Sequence, residues 1–205
     1  MSNIRLTYFD FDGGRGEPIR LALSIAGIEF EDRRITFKDF PSLLSTFPLG
    51  CIPILEMDGE TWTQCNALLR YFGKKAGLYP EDPWQAYLCD EILDIMEDVS
   101  DAIGKTFGLE GEALKQGREA VAAGMFSKAL SLLDKRLQAA GGEYFADKQL
   151  SIADLKVFEW ARMLGAGFLD HVPTDLVQQV APAINEHMQR IADEPGVKAY
   201  YEKRA

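Results

Sequence analysis

The stretch IPILEMDGETWTQCN, residues 52–66, decides the fold of this chain. Two short apolar runs flank Asp58-Gly59, and this dipeptide is a strong signal for the tight turn of a β-hairpin. Pro53 stands at the first position of a strand, where a missing N–H removes no needed hydrogen bond from the sheet. From Gln64 to Ala76 the apolar residues recur with helical spacing. We therefore predict a hairpin that is followed directly by a helix.

The residues before this stretch predict a strand, a helix and a second strand. Residues 4–9 form the first strand, and a glycine-rich turn follows it. Glu17-Pro18 begins a helix that Gly27 ends, because proline is favoured in the first turn of a helix and glycine just past its end. Residues 29–35 alternate as a second strand, and a short helix is expected within residues 40–47. Together with the hairpin, this order predicts a thioredoxin-like α/β domain.

The pattern changes at the acidic, proline-containing segment 79–83. Beyond it the apolar residues recur every three or four positions over long stretches, which is typical of amphipathic helices. Ser151 and Asp154 have the spacing of a helix N-cap and its acidic partner. We therefore predict an N-terminal thioredoxin-like domain over residues 1–79 and an all-helical domain over residues 84–205.

Composition and charge exclude several classes of partner. The 205 residues carry a net charge of −10, with a pI of about 4.7, so nucleic acids and anionic membrane surfaces are not expected partners. The start of the chain lacks the apolar segment of a signal peptide, and no stretch approaches the ~18 apolar residues of a membrane span. The three cysteines lack metal-ligand spacing. They predict reduced thiols in a cytoplasmic protein without a metal site.

Tyr8, at the end of the first strand, is the first candidate for chemistry. A tyrosine hydroxyl has an ordinary pKa near ~10, so it donates a hydrogen bond at neutral pH. Beside a thiol, that donation would stabilise the thiolate and raise the nucleophilic fraction. The alternative is a tyrosine that only packs at the end of a sheet.

Gln64 and Cys65 begin the predicted helix after the hairpin. The N–H groups and the positive dipole end of a helix suit a carboxylate, and the Gln64 amide would add a hydrogen bond. A thiol at a helix N-terminus can also have a lowered pKa and react. Cys65 is therefore either a reactive thiol or a small side chain that fills a serine-sized space.

In combination, these segments resemble the cytosolic glutathione transferases, most closely the sigma-type branch that includes glutathione-dependent prostaglandin D synthase and the cephalopod lens S-crystallins. The resemblance covers nearly the whole chain, and the combination of motifs is specific although no single motif is. The matching segments are residues 6–9, 15–20, 47–59, 64–71 and 151–154.

The resemblance implies a glutathione site and a homodimer. It assigns activation of the glutathione thiol to Tyr8, and binding of the cysteinyl backbone to Ile52 before a cis Pro53. Further contacts with glutathione are implied for the following residues: Arg15, Phe40, Cys51, Gln64, Cys65 and Asp98 of the partner subunit. A second site for a hydrophobic electrophile is expected between the domains, near Phe11, Ile103 and Phe107.

The chain departs from the family pattern at four positions of the glutathione site. Cys65 replaces the usual serine, Phe40 a frequent tryptophan, Leu44 a common lysine and Cys51 a frequent glutamine. The loop after the first strand is also one residue longer. Each lost charge-assisted hydrogen bond costs ~1.5–3 kcal/mol, or roughly 10- to 150-fold in affinity. Weak glutathione binding is the expected result.

The resulting expectation is a glutathione transferase with glutathione as co-substrate and no metal. Two alternatives stay open. The first is a non-catalytic structural or ligand-binding protein like the S-crystallins, which the altered glutathione contacts favour. The second is a thiol oxidoreductase that uses Cys65 or Cys51.

Overall fold

The structure is a computed structural model and describes residues 4–204. The chain forms two compact units, one of Met1–Tyr79 with Pro195–Ala205 and one of Pro80–Glu194. Residues 1–3 and 205, at the outer limits of the predicted domains, lie outside the described residues.

A four-stranded sheet lies at the centre of the first unit. Its strands are β1 (Ile4–Phe9), β2 (Glu31–Ile35), β3 (Ile54–Met57) and β4 (Glu60–Trp62), in the order β2-β1-β3-β4. β1 runs parallel to β2 and antiparallel to β3, and β4 is antiparallel to β3. Asp58 and Gly59 have φ values of 53° and 83°, which suit the tight turn of a hairpin. The predicted hairpin and the thioredoxin-like sheet are confirmed.

Three helices within residues 4–79 belong to this unit: the first two lie between successive strands, and the third follows the last strand. They are α1 (Glu17–Ile25), α2 (Phe40–Leu43), which continues as a 3₁₀ turn over Leu44–Thr46, and α3 (Cys65–Lys75). Pro18 lies in the first turn of α1, where its missing N–H has no intrahelical acceptor in any case. The unit's core joins the sheet to α1 and α3 through fully buried side chains, such as Leu6, Leu55 and Phe72.

The second unit is helical, as predicted. Its helices are α4 (Pro83–Gly104), α5 (Gly111–Val121), α6 (Ser127–Ala139), α7 (Ile152–Gly165), α8 (Leu176–Val180) and α9 (Pro182–Asp193), with a π-helical turn over Ala122–Phe126. The Asp82 carboxylate caps α4 by accepting from the backbone N–H groups of Trp84 and Gln85, each at 3.0 Å. No helix within residues 4–204 has the length and apolar character that crossing a membrane requires.

The capping box predicted at Ser151 and Asp154 is confirmed at the start of α7. One oxygen of the Asp154 carboxylate accepts from the backbone N–H and the hydroxyl of Ser151, at 2.8 and 2.6 Å. The other accepts from the Phe145 N–H at 3.0 Å and lies 2.8 Å from Nε2 of His187. Asp154 is fully buried, so it stabilises the entry of a core helix.

The last helix, α10 (Pro195–Glu202), groups with the sheet-containing unit although it follows the helical unit in sequence. The prediction placed residues 84–205 in one helical domain, whereas residues from Pro195 onward group with the sheet-containing unit. The physical reason is close packing against α1: a Cβ at Gly196 would lie 2.8 Å from Cγ1 of Ile25. Arg204, just beyond α10, also pairs with Asp12 and Asp32 of the first unit.

Candidate functional site

Tyr8 lies in the core at the end of β1, next to the loop that leads into α1. Its side chain is 6% exposed and packs with Ile35, Phe47, Ile52 and Ile54. Its hydroxyl oxygen accepts a hydrogen bond from the backbone N–H of Arg15 at 3.0 Å. The predicted candidate is thus a buried tyrosine whose hydroxyl is held at the inner face of a loop.

Two glycines allow this loop to contact the Tyr8 ring. A Cβ at Gly14 would lie 2.6 Å from the Tyr8 hydroxyl oxygen, and one at Gly16 would lie 2.4 Å from Cδ1 of the ring. Gly14 also has φ of +65°, a conformation that glycine adopts without steric cost. The glycine-rich turn therefore has a packing function, since only residues without side chains fit against the tyrosine.

Four of the predicted site residues share one cluster. Ile52 belongs to the buried cluster around Tyr8, and Phe11 and Phe40 pack against it. The peptide bond between Ile52 and Pro53 is cis, as the resemblance implies. Cys51, the residue before Ile52, is exposed.

Gln64 and Cys65 occupy the start of α3. Gln64 is the N-cap residue with φ of 71° and ψ of 103°, an uncommon backbone conformation for a residue other than glycine. Such conformations cost of order 1–3 kcal/mol and cluster at functional sites. Cys65 is buried, and its Sγ lies 3.7 Å from the side-chain oxygen of Asn66. The thiol is thus a weak donor at the helix terminus.

An aromatic surface adjoins Tyr8. The Phe9 ring stacks on Phe37 with centroids 4.3 Å apart, and the Phe11 and Phe37 rings are 6.0 Å apart. Phe40 contacts Phe9 edge-on at 5.1 Å. Phe37 is 67% exposed, and the sequence analysis did not identify it. The sequence gives little indication of this surface, since a single phenylalanine after a strand does not show that its ring packs with three others.

Three other predicted site residues belong to the helical unit, whereas Arg15 belongs to the first unit. Asp98 is exposed on α4, Ile103 lies near the end of that helix, and Phe107, just beyond it, is 66% exposed. Arg15 is half-buried in the loop before α1.

The three thiols differ in environment. Cys51 is exposed, whereas Cys65 and Cys89 are buried. Burial raises the pKa of the Cys89 thiol to about 12, so it stays protonated and unreactive at neutral pH. Within residues 4–204, no group of three or more histidine, cysteine or acidic side chains is arranged to hold a metal ion.

Arg20, which the sequence places between apolar residues of α1, is a second residue near the site that sequence reasoning missed. Its side chain is fully buried and donates to the backbone carbonyl oxygens of Phe9 and Phe11, at 3.3 and 3.0 Å. It also pairs with the carboxylates of Glu17 and Asp32, at 3.0 and 2.9 Å. Helical periodicity alone gives an arginine at this position no reason to point inward.

Comparison with known proteins agrees with this architecture. Residues 4–74 match the family described as the glutathione S-transferase N-terminal domain, and residues 97–204 match its C-terminal domain. The chain is 30% identical to glutathione S-transferase 1 of Ascaris suum, over 100% of this chain and 98% of that protein.

Solved structures give the same result. The structure of prostaglandin synthase D of Nilaparvata lugens superimposes with a TM-score of 0.87 and 31% identity, over 99% of this chain and 98% of that one. The sigma class enzyme of Fasciola hepatica superimposes with a TM-score of 0.83 and 25% identity, over 100% and 97% of the two chains. With both domains matched and this similarity along the full length, the chain belongs to the glutathione S-transferase family.

Proposed function

We propose that this chain is a glutathione transferase of the sigma type, in which the Tyr8 hydroxyl stabilises the thiolate of bound glutathione. The observation that carries the proposal is the hydrogen bond from the Arg15 N–H to the buried Tyr8 oxygen, at 3.0 Å. A phenol has one O–H donor in addition to its acceptor lone pairs. Accepting from a backbone N–H polarises the phenol, which strengthens its own donation to a neighbouring sulfur.

The proposed reaction begins with loss of the thiol proton and continues with formation of a carbon–sulfur bond. An ordinary thiol has a pKa of about 8.5, so most of it is protonated at neutral pH. Donation from Tyr8 lowers this pKa, and the thiol proton leaves to solvent. The thiolate then attacks an electrophilic carbon and forms a carbon–sulfur bond. Either the leaving group departs with its bonding electron pair, or the sulfur adds to a double bond and the neighbouring carbon takes a proton from solvent.

The glutathione contacts are assigned by the family resemblance, and the fold supports several of them. The backbone of Ile52, next to the cis bond, would pair with the cysteinyl segment, and the start of α3 would receive the γ-glutamyl carboxylate. Gln64 supports this placement because it is held in an uncommon backbone conformation at that helix start.

Four further contacts are part of the same proposal. Arg15 would bring positive charge to the site, and Phe40 and Cys51 would contact the tripeptide. Asp98 of the partner subunit would meet the γ-glutamyl ammonium group, which makes a homodimer the proposed assembly. The exposed position of Asp98 on α4 leaves it accessible for that role.

The proposed second substrate is an apolar electrophile that contacts Phe11, Ile103 and Phe107. The Phe9, Phe11 and Phe37 rings next to Tyr8 favour a flat or aromatic molecule, because aromatic pairs add ~0.5–1.5 kcal/mol beyond the burial of their area. The proposed location is the cytoplasm, where reduced glutathione is available.

The test compares Tyr8→Phe with wild type and with Tyr71→Phe, which removes a hydroxyl from a half-exposed tyrosine on α3. We expect Tyr8→Phe to lower kcat/KM for an activated chloronitroarene by ~10²-fold or more, as the loss of one preorganised donor does elsewhere. The glutathione Kd from calorimetric titration should stay within about threefold, and Tyr71→Phe should match wild type.

Each alternative function predicts a different result for these variants and for Cys65→Ser. Equal losses of binding and of rate in Tyr8→Phe contradict the assigned role. Absence of saturable glutathione binding at several millimolar in the wild type supports a non-catalytic protein. Thiol-exchange activity that survives in Tyr8→Phe and disappears in Cys65→Ser supports the oxidoreductase.

A further inference from the structure

A network of charged side chains contacts the loop between β1 and α1, the loop that follows Tyr8 and carries Arg15. Arg20, Arg34 and Arg204 face the carboxylates of Glu17, Asp12 and Asp32. Arg34 also lies 3.6 Å from the carboxylate of Asp10, so three guanidinium groups meet four carboxylates within one connected set. These residues come from four places in the chain: the loop after β1, α1, β2 and the residues after α10.

Asp12 is the network's anchor on the loop. Its carboxylate accepts from Arg34 at 2.6 Å and from Arg204 at 3.3 Å. Asp12 stands two positions before Gly14, whose backbone packs against the Tyr8 hydroxyl. The two arginines therefore hold the outer side of a short loop whose inner side contacts Tyr8.

Asp32 joins the three arginines. Its carboxylate accepts from Arg20 at 2.9 Å, from Arg34 at 2.9 Å and from Arg204 at 2.7 Å. Burial opposes its ionisation, but the charge of Arg20 and the hydrogen bonds from the arginines hold its pKa below the usual 3.8. Asp32 is therefore ionised at neutral pH and keeps all three guanidinium groups in place.

Arg20 carries the connection back to the catalytic strand. It donates to the carbonyl oxygens of Phe9 and Phe11, one residue and three residues after Tyr8, and its guanidinium carbon lies 5.8 Å from the centre of the Tyr8 ring. Hydrogen bonds to charged groups are among the strongest in proteins, and buried ones fix geometry.

We propose that Arg204 is a positioning residue for Tyr8: by bridging Asp12 and Asp32, it fixes the loop over residues 10–16 and thereby the Tyr8 hydroxyl. The inference rests on the proposed function, since it assigns Arg204 an effect on the glutathione thiolate. Arg204 also donates to the Tyr200 hydroxyl and lies over that ring with its guanidinium carbon 4.5 Å from the centroid. This contact orients the Arg204 side chain. Through it, α10 would support the position of Tyr8 although the two are far apart in sequence.

The matched control is Arg5, another arginine of this unit that bridges two carboxylates. It pairs with Glu31 at 2.8 Å and with Glu56 at 3.6 Å, and its side chain is 38% exposed. Arg5→Ala thus removes a comparable ion-pair bridge from the opposite end of β1, without touching the loop.

The experiment is the pH dependence of kcat/KM for the electrophile, at saturating glutathione, in wild type, Arg204→Ala, Arg204→Lys and Arg5→Ala, so that the thiol of bound glutathione is the group that titrates. With Arg204 removed, the Tyr8 hydroxyl is less well placed, so the bound thiol titrates closer to its free value. We expect the acid limb of Arg204→Ala to shift upward by roughly 0.5–1 pH unit, or about three- to tenfold in rate on that limb. The high-pH plateau should be nearly kept, because there the thiol is ionised without help.

The controls separate positioning from simple destabilisation. A loss of folded protein scales the rate equally at every pH, whereas a misplaced donor moves the acid limb. Arg204→Lys, with one point charge instead of a fork, should shift the limb less than Arg204→Ala, and Arg5→Ala should superimpose on wild type. If Arg204→Ala fails to fold, Asp12→Asn replaces it, since it weakens the same bridge at the loop and should shift the limb in the same direction.

Two results overturn the inference in distinguishable ways. If wild type has an acid limb well below about 8.5, the value of a free thiol, and Arg204→Ala or Asp12→Asn has the same limb, the positioning role is wrong and the proposed function stands. If wild type itself lacks such a limb, the proposed activation by Tyr8 fails, and the positioning role fails with it.

Discussion

Replacement of Gly14 by alanine tests whether the Tyr8 hydroxyl must occupy its observed position. The added Cβ would lie 2.6 Å from the hydroxyl oxygen and 3.1 Å from Cζ of Phe11. Non-bonded heavy atoms make favourable contacts at about 3.5–4.0 Å, so the hydroxyl must move by roughly 1 Å. The ring cannot absorb this displacement freely, because Tyr8 is 6% exposed and packs with Ile52 and Ile54 in a buried cluster.

The magnitude follows from that displacement. A misplacement of about 1 Å at a reacting centre can cost ~10²-fold in rate, or roughly 2.7 kcal/mol of transition-state stabilisation. A second cost is backbone strain, since Gly14 has φ of +65°, and an alanine in the left-handed region costs roughly 1–2 kcal/mol of stability.

Gly27→Ala is the control that separates these two costs. Gly27 also has φ of +65°, but a Cβ there would meet no atom within 4 Å. Gly27→Ala should therefore lose the unfolding free energy that belongs to backbone strain alone, as read in urea. Gly14→Ala should lose more, because its Cβ also displaces a packed ring, and only Gly14→Ala should lose ~10²-fold in kcat/KM for conjugation. Equal activity in the two variants would refute the argument that the loop fixes the hydroxyl by contact.

Three further predictions concern the thiols and the charged network. Cys65→Ser should tighten glutathione binding about fivefold, because a hydroxyl donates better to a carboxylate and the gain is ~1 kcal/mol; an unchanged Kd in calorimetric titration contradicts the weakened contact. A maleimide should label exposed Cys51 within minutes and spare Cys89, whose pKa burial raises to about 12, and mass spectrometry of the native protein decides the order. The pKa of Asp32 is lowered, against the effect of burial, by the charge of Arg20 and by hydrogen bonds from the arginines around it, so its contribution to stability is complete above about pH 4 and is lost as the pH falls further. The gap in unfolding free energy between wild type and Asp32→Asn should accordingly be largest near pH 7 and shrink toward pH 3, and a gap independent of pH would contradict the ion pairing.

Local patterns were sufficient to predict most of the elements. Asp58-Gly59 predicted the hairpin because few dipeptides adopt positive φ at both turn positions, and both residues do so here. Ser151 and Asp154 predicted the start of α7 because a capping box involves residues only three positions apart. β1 was predicted with its observed limits, Ile4–Phe9, because its flanking turn is rich in glycine.

Long-range pairing explains what the sequence did not predict. Arg204 and Asp12 are separated by 192 positions, and nothing local distinguishes a paired surface arginine from a solvated one. Arg20 follows Ile19 in an amphipathic helix, where a charged residue is ordinarily exposed, yet it is fully buried. One of its partners is the Asp32 carboxylate at 2.9 Å, which lies far from it in sequence and is brought close by the pairing of β2 with β1.

The candidate site could be predicted only in part, because it too depends on contacts between residues far apart in sequence. Tyr8 and Ile52 were identified through motifs in separate segments, and the fold packs them in one cluster. The positive φ of Gln64 was not foreseen, because glutamine has no intrinsic preference for that conformation. The exposed Phe37 was not foreseen either, since its importance comes from rings on neighbouring elements.

The most direct test of the central claim is a spectroscopic pH titration of the glutathione thiol bound to wild type and to Tyr8→Phe. The thiolate absorbs in the ultraviolet, so its fraction is read without a second substrate. The account predicts a bound-thiol pKa at least about 1 unit below the ~8.5 of an ordinary thiol in wild type, and a return close to that value in Tyr8→Phe. The same pKa in both proteins would contradict thiolate stabilisation by Tyr8.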